Sequence, residues 1–237
     1  MRYDKTEEDQ SSFGVGTLNE KSLHSILKYR IEPNPACHEI KIGRHIVDIQ
    51  NEDGIFEIQS AGFYALKAKL TALLPQYKVT VVHPVIQTKW VCWVSPETGE
   101  VSKLHKSPKT GQAYDILAEL YRIRLFLLHK NLSFKVVLLN AEEYRLADGW
   151  GKNGKRGSHR IERIPLEFLQ EVNLSSPEDF YGFVPDALAH EFTSKEYAKA
   201  VKRNGRFASW ALLVLQELSV IEKSGKQGRA FLYKRLF

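Results

Sequence analysis

Two carboxylates dominate the chemistry legible in this sequence. The stretch HIVDIQNEDGIFEIQS, residues 45–60, has the pattern of a β-hairpin turning at NEDG. With Asn51 to Gly54 as the loop, Gln50 faces Ile55 and Asp48 faces Glu57. Ile46, Asp48 and Gln50 share one face by the period of two, as do Ile55, Glu57 and Gln59. Opposed Cβ atoms in such a pair are about 4.5–5.5 Å apart, and like charges placed so repel. A divalent cation relieves the repulsion: Mg²⁺, or Mn²⁺ in its place, accepts one or two carboxylates, keeps several waters and takes its remaining oxygens from phosphate. Such an ion orients a water and neutralises charge on a scissile phosphate. Two bland arrangements stay open: the carboxylates diverge into solvent, or a one-residue slip separates them.

The elements that must position this pair follow from periodicity. TLNEKSLHSILKY predicts a helix with a capping box at Thr17 and Glu20, ended by Pro33 and Pro35. After the hairpin, Phe63, Leu66, Leu70 and Leu73 mark the apolar face of a second helix, and YKVTVVHPV reads as a buried strand. Strand, helix, strand in that order predicts a right-handed crossover with the strands parallel. KWVCWVS and FKVVLL are further strands, with a longer helix, QAYDILAELYRIRLFLLHK, between them. DGWGKNGKRGSHR is a flexible, cationic boundary region.

Several chemistries are excluded or weakened. Cys37 and Cys92 stand alone, without CxxC or Cys/His spacing, so neither a disulfide framework nor a zinc site is expected. GKNGKRGS lacks the P-loop pattern, and no G-x-S-x-G or HExxH occurs. No segment reaches the ~18 apolar residues of a membrane span, which leads to the expectation of a cytoplasmic protein with no membrane partner. The formal charge of +6 favours polyanions.

A helix bearing Glu20, then VDI around Asp48, a turn, EIQ at Glu57 to Gln59 and a crossover helix together resemble the core of the PD-(D/E)XK nuclease superfamily. EIQS is most similar to its competence-nuclease (CoiA-like) branch, and the likeness covers roughly residues 17–86. The resemblance implies a restriction-endonuclease-like α/β fold, a mixed sheet flanked by helices, with Asp48 and Glu57 as Mg²⁺ ligands and the Ile58 carbonyl beside them. Glu20 then assists at the metal, or serves only as a cap. Gln59 stands where Lys is usual, and an amide orients water but supplies neither charge nor proton. Lys67 in the following helix is the candidate replacement, with a solvated helix lysine as its bland alternative.

From Pro177 the pattern turns helical: PDALAHEF, SKEYAKAVKR and FASWALLVLQEL, then two strands in VIEKSGKQGRAFLYKRL. This resembles a winged helix-turn-helix, which implies that Arg203, Asn204, Arg206 and Ser209 enter the DNA major groove while Lys226 and Arg229 of the wing touch the backbone. Lys103, Lys106, Lys155 and Arg156 are candidate phosphate contacts in loops. The expected organisation is a polar N-terminus over 1–16, a nuclease-like domain over 17–172 and a winged helix over 177–237. The expected function is a Mg²⁺-dependent DNA endonuclease. A non-enzymatic DNA-binding protein on a degenerate nuclease scaffold is the alternative. RNA remains open as a substrate, and homodimerisation, which double-strand cutting would favour, has no heptad pattern behind it.

Overall fold

A computed structural model describes residues 22–149 and 159–237. The chain forms a large mixed sheet flanked by helices, followed by a smaller antiparallel sheet. α1 spans Ser22–Ile31, and β1 (His38–Ile42), β2 (His45–Asn51) and β3 (Gly54–Ile58) make an antiparallel meander. The hairpin register is the expected one, Gln50 opposite Ile55, and pairing continues one step further to Asn51 opposite Gly54. Gly54 is required there: its φ is +130°, and a Cβ would sit 2.7 Å from the Lys78 carbonyl oxygen.

A 3₁₀ turn, Phe63–Leu66, leads into α2 (Lys67–Leu73) and then β4 (Val79–Val94), which pairs parallel with β3 as the crossover predicts. β5 (His105–Lys106) pairs on β4. After it come a 3₁₀ turn (Ala113–Asp115), α3 (Ile116–Leu120), a second 3₁₀ segment (Tyr121–Phe126), β6 (Leu132–Leu146) and β7 (His159–Leu174). The strand order is β1-β2-β3-β4-β6-β7. The two strands expected over YKVTVVHPV and KWVCWVS are one, running through Pro84. The long helix expected over 112–130 is broken, because Ile123 leaves helical geometry at φ −122° and ψ 22°.

α1 covers one sheet face, packing Leu23 and Leu27 on Ile58, Val82, Val137 and Leu139. The alternate strand residues, among them Val79, Val81, Val136 and Leu138, face a larger cluster with α2 and α3. That cluster extends without interruption into the C-terminal segment, where β8 (Glu191–Thr193), α4 (Ser194–Ala200), α5 (Gly205–Glu217), β9 (Ile221–Gln227) and β10 (Ala230–Arg235) follow. PDALAHEF does not form the expected helix; it holds a turn and β8, which adds to β10. The tie across to α3 and the 3₁₀ turn before it is polar as well as apolar. Arg203 grips Asp115 through two bonds of 2.7 and 2.8 Å, and Tyr114 donates to the Val201 carbonyl at 2.8 Å. No helix among the described residues is long and apolar enough to cross a membrane.

The far halves of β4, β6 and β7 carry a buried charge. Glu143 is fully buried and accepts from Lys89, Arg145 and Arg163 at 2.6–3.1 Å. Burial alone would raise its carboxyl, but the bonds from Arg163, Arg145 and Lys89 outweigh it and hold the group down at about 2. A carboxyl depressed by folding stabilises fully above its unfolded value near 4.5 and loses that contribution as pH falls to about 2. Glu143→Ala is therefore expected to cost about 3–5 kcal/mol at neutral pH by stranding three cations. Urea unfolding followed from pH 7 to pH 2 checks it: the variant loses the acid-limb slope that the wild type shows.

Candidate active site

The site forms where β2 and β3 part. Their ladder ends at Ile49 opposite Phe56, one pair short of Asp48 and Glu57. By alternation the amide of Ile58 is the next to face β2, but it donates instead to Asp48 Oδ2 at 2.7 Å. The other edge of β3 stays paired, with the Gln59 amide donating to Val82 at 2.9 Å. The result is a fork with Asp48 in its crotch. His24 of α1 closes the outer side, its Nε2 3.2 Å from the same carboxylate oxygen.

Glu57 is 3% exposed. Its partner is Lys69, whose ammonium donates to both carboxylate oxygens at 2.8 and 2.7 Å and to the Ile46 carbonyl at 2.7 Å. α2 sets this up by burying Leu70 and Leu73, which turns Lys69 toward β2 and β3. Lys69, and not Lys67, is thus the cation at the fork; Lys67 lies over the Tyr64 ring at 4.6 Å. Burial and then the negative charge of Asp48 push Glu57 up to about 7, against the pull of Lys69. For Asp48, burial is outweighed by the His24 bond and charge and by the Ile58 amide, so its carboxyl lies below the ordinary value.

Gln59 is not aimed into the fork. Its Nε2 turns back to the Ala61 carbonyl at 2.5 Å. Its own carbonyl shows why His83 is buried in β4. The parallel register puts Gln59 opposite His83, so the rung to the Gln59 oxygen would come from residue 84, which is proline and has no N–H. His83 Nδ1 donates to that oxygen at 2.8 Å instead. The bond fixes the proton on Nδ1, and burial pushes the imidazole pKa down, so the ring is neutral. His24, Lys69 and His83 were not singled out by sequence reasoning.

The other expected positions divide. Glu20, Lys155 and Arg156 lie outside the described residues. Arg203 is spent on Asp115, Asn204 caps α5 by accepting from Phe207 N, and Ser209 bonds back to the Gly205 carbonyl, so these three hold the structure instead of presenting donors to a groove. Arg206, Lys103, Lys106 and Arg229 are exposed, and Lys226 is exposed beside the Phe231 ring.

The donor set at the fork suits a hard cation. It offers the Asp48 and Glu57 carboxylates and the Ile58 carbonyl, which lies on the edge of β3 that the β2 ladder does not reach. Two carboxylates and a carbonyl are hard oxygen donors of the kind Mg²⁺ takes, and in this structure Lys69 holds both Glu57 oxygens. A closed protein cage is a different matter: among the described residues no group of three or more His, Cys, Asp or Glu could hold a metal.

Fold and site together define a mixed α/β protein with a carboxylate–lysine fork at the end of its parallel strands. The chain belongs to the family described as Domain of unknown function (DUF8091), whose profile matches residues 21–175 and so includes every residue of the fork. It is 28% identical over 222 residues to an "Uncharacterized protein" of Treponema pallidum (strain Nichols), an alignment covering 93% of this chain and 87% of that one. No solved structure matches the chain.

Because folding raises the Glu57 pKa, the folded state holds a proton that the unfolded chain releases between about 4.5 and about 7. The stability this group contributes is therefore present below 4.5 and lost as pH rises through 7. Urea midpoints measured across that window should fall with pH in the wild type, and the dependence should flatten in Glu57→Gln.

Proposed function

We propose that the protein is a metal-dependent nucleic-acid phosphodiesterase of the PD-(D/E)XK kind, working on DNA at the fork. The observation that carries this reading is the buried Glu57, held against Lys69 beside Asp48 where the hairpin ladder stops. No ordinary hairpin needs a buried carboxylate next to a second one, and the arrangement costs folding energy that a site explains.

Asp48 and Glu57, with the Ile58 carbonyl, would hold Mg²⁺ or Mn²⁺, which when bound supplies Lewis-acid activation of water and charge neutralisation at phosphate. The protein's own part is orientation and electrostatics. The Ile58 amide and His24 fix the Asp48 carboxylate, so it is ionised and aimed before anything binds. Lys69 supplies the fixed positive charge that Gln59 lacks, next to where charge develops on a scissile phosphate. Gln59 acts through its backbone, which His83 pins in place of the missing Pro84 donor.

The C-terminal segment supports substrate holding. α4 and α5 with the β8-β10-β9 sheet follow the helix and wing order of a winged helix-turn-helix, and Arg206, Lys226 and Arg229 stand on its outside. One observation favours the rival reading of a non-catalytic DNA-binding scaffold: Lys69 occupies both oxygens of Glu57, as a purely structural ion pair would.

Cleavage of supercoiled, linear and single-stranded DNA with Mg²⁺ or Mn²⁺ separates the two. The wild type should cut, and Asp48→Ala and Glu57→Ala should not. Lys69→Ala should lose roughly 10²–10³-fold in rate, the scale of one preorganised charge, while Gln59→Ala loses less. A wild type that binds DNA but leaves every form intact with both metals selects the scaffold.

A further inference from the structure

A second feature lies on the far side of α2 from Lys69. Residues two apart on a helix point about 200° apart, so Lys67 faces away from the fork and into a groove of about 280 Å³. Its lining is Tyr64, Lys67, Tyr121, Arg122, Arg124 and Leu125, with Ile123 beneath. No carboxylate lines it, and Lys67, Arg122 and Arg124 have no ion-pair partner among the described residues. Aromatic rings alternate with these cations. Lys67 covers one face of Tyr64 at 4.6 Å, and the Tyr64 residue is still 68% exposed. Tyr121 stacks on Trp210 of α5, with ring centroids 5.7 Å apart and planes 14° apart. Arg122 lies 5.1 Å from the Trp210 ring, and Arg124 5.6 Å from Tyr121. Packing accounts for the Tyr121–Trp210 stack, which joins the 3₁₀ segment to α5. It does not account for an exposed tyrosine beside three cations that have no ion-pair partner among the described residues.

We infer that this groove binds a single-stranded stretch of nucleic acid, one base stacking on the open face of Tyr64 while Lys67, Arg122 and Arg124 hold the flanking phosphates. A base can present its face to a tyrosine only when it is unstacked, so the ligand is an unpaired strand and not the body of a duplex. Cations interleaved with aromatic rings are the combination that tracks a single strand without reading its sequence. The inference rests on the nucleic-acid reading above and narrows it: the strand reaching the fork is a frayed end, a gap or a single strand, led across the start of α2.

The test is fluorescence anisotropy on the full chain in EDTA, so that binding is read without cleavage, with labelled oligothymidine and a blunt duplex of equal length. Tyr64→Ala should weaken single-strand binding roughly 5- to 100-fold, the scale set by removing one base–aromatic stack, and leave duplex binding unchanged. Arg122→Ala with Arg124→Ala should lower the salt dependence of single-strand binding by about 0.7 in log–log slope for each phosphate no longer neutralised. Tyr64 is exposed, so its removal is expected to leave the melting temperature in place. Wild-type oligothymidine affinity in Tyr64→Ala overturns the inference, as does equal weakening of duplex and single strand, and neither outcome touches the carboxylate site. Metal-dependent cleavage that survives Asp48→Ala overturns the catalytic reading and leaves the groove standing.

Discussion

The parting of β2 from β3 after the Ile49–Phe56 pair is the constraint on which the rest depends. Had the ladder continued, the Ile58 amide would bond a β2 carbonyl and Asp48 would be one more side chain on a sheet face. Instead the carboxylate takes the place of the missing rung. It is held ionised by that amide and by His24, and its charge bears on the neighbouring Glu57. Lys69 answers both strands at once, with Glu57 on β3 and the Ile46 carbonyl on β2, so the cation also fastens the open fork. Removing Lys69 leaves Glu57 buried without its counter-charge, whereas removing Asp48 leaves that pair intact and lifts a repulsion from Glu57.

The neighbouring strand shows how a local defect is absorbed. Proline inside a sheet is ordinarily confined to edges, yet Pro84 lies in the middle of β4. The register explains it: β3 ends at Ile58, and the one rung proline cannot supply is provided by His83. Past that point the vacated edge of β4 is met by Gly111, whose amide reaches the Ile86 carbonyl at 3.0 Å and where a Cβ would come within 2.4 Å of that oxygen. Both features satisfy backbone groups along the edge of β4 that β3 leaves beyond Ile58.

Part of the fork was legible in the sequence: period-two patterning and the NEDG turn determine the register that carries Asp48 and Glu57 to the end of the ladder, but not that the ladder stops one pair short of them. The crossover to β4 was legible for the same reason. Lys69 was missed because Lys67 and Lys69 are both polar positions on a short helix, and only the preceding 3₁₀ turn decides which one faces the sheet. His24 and His83 carried no motif. β7 is hidden for a different reason: its pairing with β6 shifts register three times, leaving Leu169, Leu166 and Ile161 as extra residues, and it contains Pro165. Alternation is erased from the sequence wherever a bulge resets it. The long helix expected over 112–130 rests on leucine and isoleucine spacing that a kinked, partly 3₁₀ path satisfies equally well.

On the proposed function the fork is a cation site and not a buried ion pair alone. Titration of Mn²⁺ into the full chain, followed by the loss of the free-ion electron paramagnetic resonance signal, addresses it without any substrate. A bound ion is expected in the wild type and should disappear in both Asp48→Asn and Glu57→Gln. A wild type that binds no Mn²⁺, or variants that bind it as well as the wild type, would contradict it.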